Sequence, residues 1–256
     1  MIVDTHCHLH FKEFDSDREE VIRRAREAGV EYFVNVGTDP GTNSEARALA
    51  SRIPGMVWTA GLHPHSAHEA AEETFGMLER QIVDRRPAAV GEIGLDYFKS
   101  EADPATQKKV FTRMIELAKK HDLPVIVHSR DAFEDTHAIL SAQAKKGLRG
   151  VMHCFSYDEK AMKKMLDAGF YISFTCNITY KNALTLLEAA KQAPLDRIVF
   201  ETDSPYLSPQ SKRGKRNEPA NLAELVPFLA SVRGMDAQTL AEKSTANAKR
   251  LFRIDA

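Results

Sequence analysis

Short apolar runs and longer amphipathic stretches alternate along the whole chain. The first apolar residues, Met1 to Val3, lead into a strand carrying Asp4-Thr5-His6-Cys7-His8-Leu9-His10. Helical spacing follows over residues 15–28: Val21, Ile22 and Ala25 form one stripe, Asp15, Ser16 or Asp17 offers a cap, and Gly29 a stop. The pattern then predicts a strand over 32–37, a helix over 42–52, a strand over 56–62 and a long helix over 67–85. Residues 88–92 are short and apolar, as suits a strand buried on both faces. Pro104 opens a helix over 105–120, and 123–128 is a fifth strand. The second half repeats the alternation, with helices over 131–145, 158–168 and 182–192 and strands over 150–153, 170–174 and 197–201. Two further helices, 220–232 and 237–252, close the chain.

Eight strands alternating with helices predict an α/β fold, a (β/α)8 TIM barrel, as one domain over residues 1–256. A doubly wound open sheet is the alternative, but no glycine-rich phosphate fingerprint follows the first strand. Composition adds limits. With 43% hydrophobic and 28% charged residues the chain is ordinary for a globular protein, and a net charge of −1 offers no global attraction to nucleic acid. Three cysteines, Cys7, Cys154 and Cys176, cannot all pair and lack Cys-x-x-Cys spacing, which points to a reducing compartment. No apolar run approaches the roughly 20 residues that span a bilayer. The expectation is a cytoplasmic monomer without membrane contact.

Candidate chemistry emerges when the strand ends are aligned. His6 and His8 lie at the end of the first strand, His63 of the third, Glu92 of the fourth, His128 of the fifth, His153 of the sixth and Asp203 of the eighth. Barrel active sites lie at the carboxyl ends of the strands, so these residues should converge. Imidazoles and carboxylates in one pocket are metal ligands. His6, His8 and Asp203 suit one divalent cation, His128 and His153 a second, and Glu92 a bridge. Such a pair clamps the oxygens of a displacement and acidifies water. Asp203 and Glu92 are therefore the candidate catalytic carboxylates. Cys7 and Cys154, each beside a ligand, should alternate outward into the strand–helix layer.

Evidence for a nucleic-acid partner is local. Lys212, Arg213, Lys215 and Arg216 cluster after the eighth strand, where barrels often bind phosphate. Arg130 and Lys99 border the same rim, and Tyr97, Phe98, Phe155 and Tyr157 could stack on splayed bases. His63, Tyr97, Arg130, Arg213 and Arg216 are the expected substrate contacts.

Six segments together resemble the TatD family of metal-dependent deoxyribonucleases: Asp4-Thr5-His6-Cys7-His8-Leu9, residues 90–97 (VGEIGLDY), 124–130 (PVIVHSR), His153-Cys154-Phe155-Ser156, 201–207 (ETDSPYL) and 213–219 (RGKRNEP). The likeness covers essentially the whole chain in order. It implies a (β/α)8 metal-dependent hydrolase that cleaves DNA phosphodiesters, often from the 3′ end; a pocket too deep for an intact duplex suits single-stranded or frayed ends, and the two divalent cations expected from the ligand set are Mg, Mn or Zn. It implies the metal role for His6, His8, Glu92, His128, His153 and Asp203. Thr175-Cys176-Asn177 departs from the family pattern, in which small residues such as Ser-Gly are expected after strand seven. The alternatives are a hydrolase of the same superfamily acting on a cyclic amide, a small phosphoester or the ester of a misacylated tRNA, as a D-aminoacyl-tRNA deacylase does, and a non-catalytic binding scaffold. Six converging ligands argue against a mere scaffold.

Overall fold

In the computed structural model, which describes residues 1–254, the eight apolar runs become eight parallel strands hydrogen-bonded in sequence order. They are β1 (Ile2–Cys7), β2 (Val30–Val36), β3 (Met56–Ala60), β4 (Ala89–Asp96), β5 (Val125–Arg130), β6 (Gly150–Met152), β7 (Tyr171–Phe174) and β8 (Ile198–Phe200). Between them run α1 (Arg18–Glu27), α2 (Pro40–Ala50), α3 (Glu72–Asp84), α4 (Pro104–Lys120), α5 (Phe133–Ala144), α6 (Glu159–Asp167) and α7 (Leu184–Gln192), and α8 (Leu222–Arg233) and α9 (Ala237–Phe252) follow β8. The expected (β/α)8 barrel is the fold. Closure comes just past β8, where Cys7 pairs with Ser204 and His6 and His8 exchange backbone hydrogen bonds with Asp203 and Ser204.

Local chemistry sets the helix starts. Asp39 accepts from the Gly41 and Thr42 N–H groups ahead of α2, and Asp103 caps α4 likewise, each followed by Pro at the first helical position. The long helix expected over 67–85 is divided. Pro64–Glu69 form a 3-10 turn, and α3 starts only at Glu72. At the first helix the cap position falls to Asp17, but its side chain caps nothing; it is engaged elsewhere, by Arg216.

Two apolar layers hold the barrel. Val3, Val34, Val36, Ala89, Ile126, Val151 and Val199 fill its interior, and Leu251 and Phe252 at the end of α9 join them across the N-terminal ends of the strands. The larger layer, with Phe14, Phe33, Trp58, Phe111, Phe170 and Phe200, lies between strands and helices. Interior packing fixes which residues of each strand continue toward the C-terminal mouth. From Ile126, Val151 and Val199 simple alternation reaches His128, His153 and Glu201, and Asp203 follows in the turn past β8, its backbone left-handed (φ 56°). In β1 and β4 it does not, because the ladder shifts register between Asp4 and Cys7 and between Val90 and Ile93. Those irregularities turn His6 and Glu92 toward the axis.

Candidate metal centre

Glu92 is the centre of the site. It is buried in β4, a strand with no exposed residue, and its two oxygens face different neighbours. Oε2 lies 3.5 Å from His6 Nε2, whereas Oε1 lies 2.9 Å from His128 Nδ1, 3.5 Å from His63 Nε2 and 3.6 Å from His153 Nε2. Glycines permit the approach. A side chain at Gly61 would strike the Glu92 backbone at 2.3 Å, and one at Gly94 (φ 147°) the His128 carbonyl oxygen at 1.9 Å. A carboxylate divided in this way has the geometry of a bridge.

On the Oε2 side, His6 Nε2 and His8 Nε2 are 3.1 Å apart, and Asp203 Oδ1 lies 3.7 and 3.5 Å from them. His8 Nδ1 must donate to the Val36 carbonyl at 2.7 Å, so in the neutral ring Nε2 carries the lone pair aimed at this point. His6, His8 and Asp203 therefore form one three-ligand group, and His63, Glu92 and His128 form another. His153 stands between them, its ring stacked on His6 at 3.6 Å and its Nε2 3.9 Å from Asp203 Oδ1.

The electrostatics suit cations. Burial pushes the Glu92 carboxyl up, but the facing His63 and His153, with hydrogen bonds from His128 and His6, hold it well below the ordinary range. Burial likewise opposes ionisation of Asp203, and His8, His153 and His6 overcome it. His6 and His63 are pushed down, chiefly by burial, and stay neutral. Burial lowers His153 too, yet Glu201 and Glu92 raise it to about 10, a measure of the negative potential at its ring nitrogens. Ionised carboxylates, imidazoles at His6 and His63 that stay neutral, and a negative potential that raises His128 and His153 favour a divalent cation, which would take the place of their protons.

A second ring of carboxylates orients the first. Glu201 Oε1 lies 2.7 Å from His153 Nδ1, although off the axis of the ring N–H, and accepts from the Cys154 N–H at 2.7 Å. Asp96 accepts from His65 Nε2, from the Phe98 and Lys99 N–H groups, and faces His128 Nε2 at 3.1 Å. Asp4, raised to about 8 by burial, accepts from Thr202 and so fixes the turn that presents Asp203. Sequence spacing had singled out none of these three. The available signal was a carboxylate inside an otherwise apolar strand, where an unpartnered charge is prohibitive.

The sequence matches the family described as TatD related DNase over residues 3–253. The chain belongs to the TatD family. It is 38% identical to the metal-dependent hydrolase YabD of Bacillus subtilis, named as uncharacterized, over the full length of both chains. It is 37% identical to the 3′-5′ ssDNA/RNA exonuclease TatD of Erwinia tasmaniensis, over 98% of this chain and 99% of that one. The crystal structure of YJJV, a TatD homolog from Escherichia coli K12, superposes with a TM-score of 0.94 at 29% identity, covering 99% and 98% of the two chains. This TatD-family chain is thus a metal-dependent hydrolase acting on ester bonds.

Several expectations for this TatD-family site change. His63, expected among the substrate contacts, has its Nε2 3.5 Å from Glu92 Oε1, in a group with Glu92 and His128 that could hold a cation. Arg216 is already engaged: its guanidinium grips Asp17 at 2.6 and 2.8 Å and lies over Phe14, so both terminal nitrogens are committed within the protein. Tyr97 donates to Asp135 at 2.6 Å, Phe155 is buried, and Tyr157 bonds Ser129. Arg130 and Arg213 remain exposed, 4.1 Å over Phe98 and 4.5 Å over Tyr180. The exposed aromatics of the rim are Phe98 and Tyr206, the latter 6.3 Å from the His8 ring. Cys7 is a core residue as expected, but Cys154 is not. Its left-handed backbone (φ 44°) breaks the strand alternation and leaves the half-buried thiol near His153 and Asp203. The departing segment after strand seven forms a 3-10 turn, Cys176–Thr179, with Cys176 buried and Thr175 bonded to Asn177. Among the described residues no helix is long and apolar enough to cross a membrane.

Proposed function

We propose that this TatD-family hydrolase is a 3′–5′ exonuclease of single-stranded or frayed DNA ends that works with two divalent cations. The observation that carries the reading is the divided carboxylate of Glu92, one oxygen toward His6 and the other toward His63, His128 and His153. His6, His8 and Asp203 would hold one cation, and His128, with His63 or His153, the other, with Glu92 shared. Bound there, a cation pair supplies charge for the phosphoryl oxygens and lowers the pKa of water toward neutrality.

The chain's own groups do the rest. Asp203, ionised and 14% exposed, stands at the open side of the site, where it takes the proton of the attacking water. Arg130 and Arg213 neutralise phosphates at the rim. Phe98 and Tyr206 offer faces on which unpaired bases stack, an arrangement that a base-paired duplex cannot use. The name of the Erwinia relative, an exonuclease of single-stranded DNA and RNA, supports this substrate class.

The decisive experiment is turnover of end-labelled single-stranded DNA with magnesium, manganese or zinc, before and after chelation. Stepwise loss of 3′ nucleotides that stops on chelation and returns with metal is expected. Absence of cleavage with all three metals, beside hydrolysis of a D-aminoacyl-tRNA ester, would transfer the site to the alternative substrate.

A further inference from the structure

At the end of the barrel opposite the metal centre lies a cavity of about 270 Å³. Ala88 and Pro124, which precede β4 and β5, mark it as lying at the N-terminal ends of the strands. Trp58 and Phe252 wall it, and Arg85 and Arg86 from the segment after α3 line it together with Arg253 beyond α9. We propose that this cavity binds a phosphate group.

Three observations converge. The first is charge. Among the lining residues three arginines face one carboxylate, Asp122, and a fourth arginine, Arg149, also pairs with Asp122 at 2.7 Å. Asp122 holds Arg253 at 2.8 Å, and its carbonyl oxygen accepts from Arg86 at 2.9 Å, so two guanidiniums are fixed at the rim. Arg85 has neither ion pair nor side-chain hydrogen bond among the described residues, which leaves its fork available to an oxyanion. The second observation is an unmet donor. Trp58, one of the lining residues, is 3% exposed and its indole N–H has no acceptor among the described residues, a costly state for a buried donor in the wall of the cavity. The third is size. The volume lies below the roughly 300 Å³ at which pockets for drug-sized ligands begin and is ample for a phosphate group. The N-terminal face of a barrel carries no chemistry, so binding here anchors or senses a ligand.

The phosphate could be a free anion or a unit of a nucleic-acid backbone. Trp58 is the sole tryptophan of the chain, so emission excited at the red edge, where the six tyrosines do not absorb, comes from a residue of this cavity's wall. The full chain is titrated with inorganic phosphate and, separately, with a short single-stranded oligonucleotide, each against sodium chloride at matched ionic strength. A saturable change in emission is expected from at least one of them, with its midpoint shifted about tenfold or more by Arg85→Ala with Arg86→Ala. Response to phosphate alone assigns a free anion, and response to the oligonucleotide alone assigns a backbone. No response beyond the chloride control, or an equal midpoint in the variant, overturns the proposal. Both arginines are remote from the metal centre, so hydrolysis by the variant should be unchanged.

Discussion

Arg216 and Asp17 form a two-pronged ion pair that ties the loop after β8 to the start of α1. The guanidinium donates at 2.6 and 2.8 Å, lies over the buried Phe14 ring, and stands beside a second pair, Arg24 with Glu218 at 2.6 Å. Arg216→Ala should therefore cost stability, about 1–2 kcal/mol given partial exposure and the ring contact, and leave the KM for DNA and its salt slope unchanged. The Asp17 carboxyl is held below its ordinary value, first by the Arg216 hydrogen bond. A depressed folded-state value contributes stability that is full at pH above the unfolded carboxylate range and is lost as pH falls from there through the folded-state value. The variant and the parent should thus converge in melting temperature in acid. A steep KM effect at full stability would restore the phosphate role.

Glu92→Gln tests the bridge. The amide keeps the shape but offers one poor ligand and no charge to the imidazoles that now hold the carboxylate ionised. Metal content by elemental analysis should fall from two equivalents to one or fewer, with hydrolysis abolished and the far-UV spectrum intact. Two bound equivalents in an active Glu92→Gln protein would show that Glu92 does not bridge.

Asp203→Asn separates proton transfer from binding. Loss of a positioned base costs about 10²–10⁴-fold in kcat. Because no side chain need bond to phosphorus, oxygen from labelled water should appear in the product phosphate in a single-turnover experiment. Near-normal kcat with both cations retained would move the base elsewhere.

Glu201→Gln should weaken metal binding by about 10–100-fold, the usual effect of removing a carboxylate behind a ligating imidazole. Glu201 touches no part of the open mouth, so at saturating metal the KM for DNA should be unchanged. A competitive chelator titration measures the first quantity, and a raised KM would place Glu201 in the substrate site.

Phe98→Ala and Tyr206→Ala should each raise the KM for single-stranded DNA by the equivalent of about 1–3 kcal/mol if a base stacks on the ring. An abasic substrate should erase the difference from the parent. Equal penalties on intact and abasic strands would mean that the rings only shape the loops.

The barrel was legible along the chain because parallel strands buried on both faces are continuous apolar runs, and the helices between them keep the 3.6 period. His128 and His153 could be placed for a related reason: each continues the alternation of an interior apolar residue, Ile126 or Val151, whereas Asp203 sits in a turn past β8 with a left-handed backbone (φ 56°). His6 and Glu92 could be recognised as ligand chemistry, but their orientation depends on register shifts in β1 and β4 that alternation does not encode. The same limit hid Cys154, which a left-handed backbone turns out of the strand alternation, and only the fold brings His63 to 3.5 Å from Glu92. The basic cluster after β8 was visible as composition, yet only the fold brings Asp17 and Phe14 against Arg216 and leaves Arg213 exposed. Charge is a local property of the sequence. Its availability to a ligand is set by partners almost two hundred positions away, and those only tertiary packing supplies.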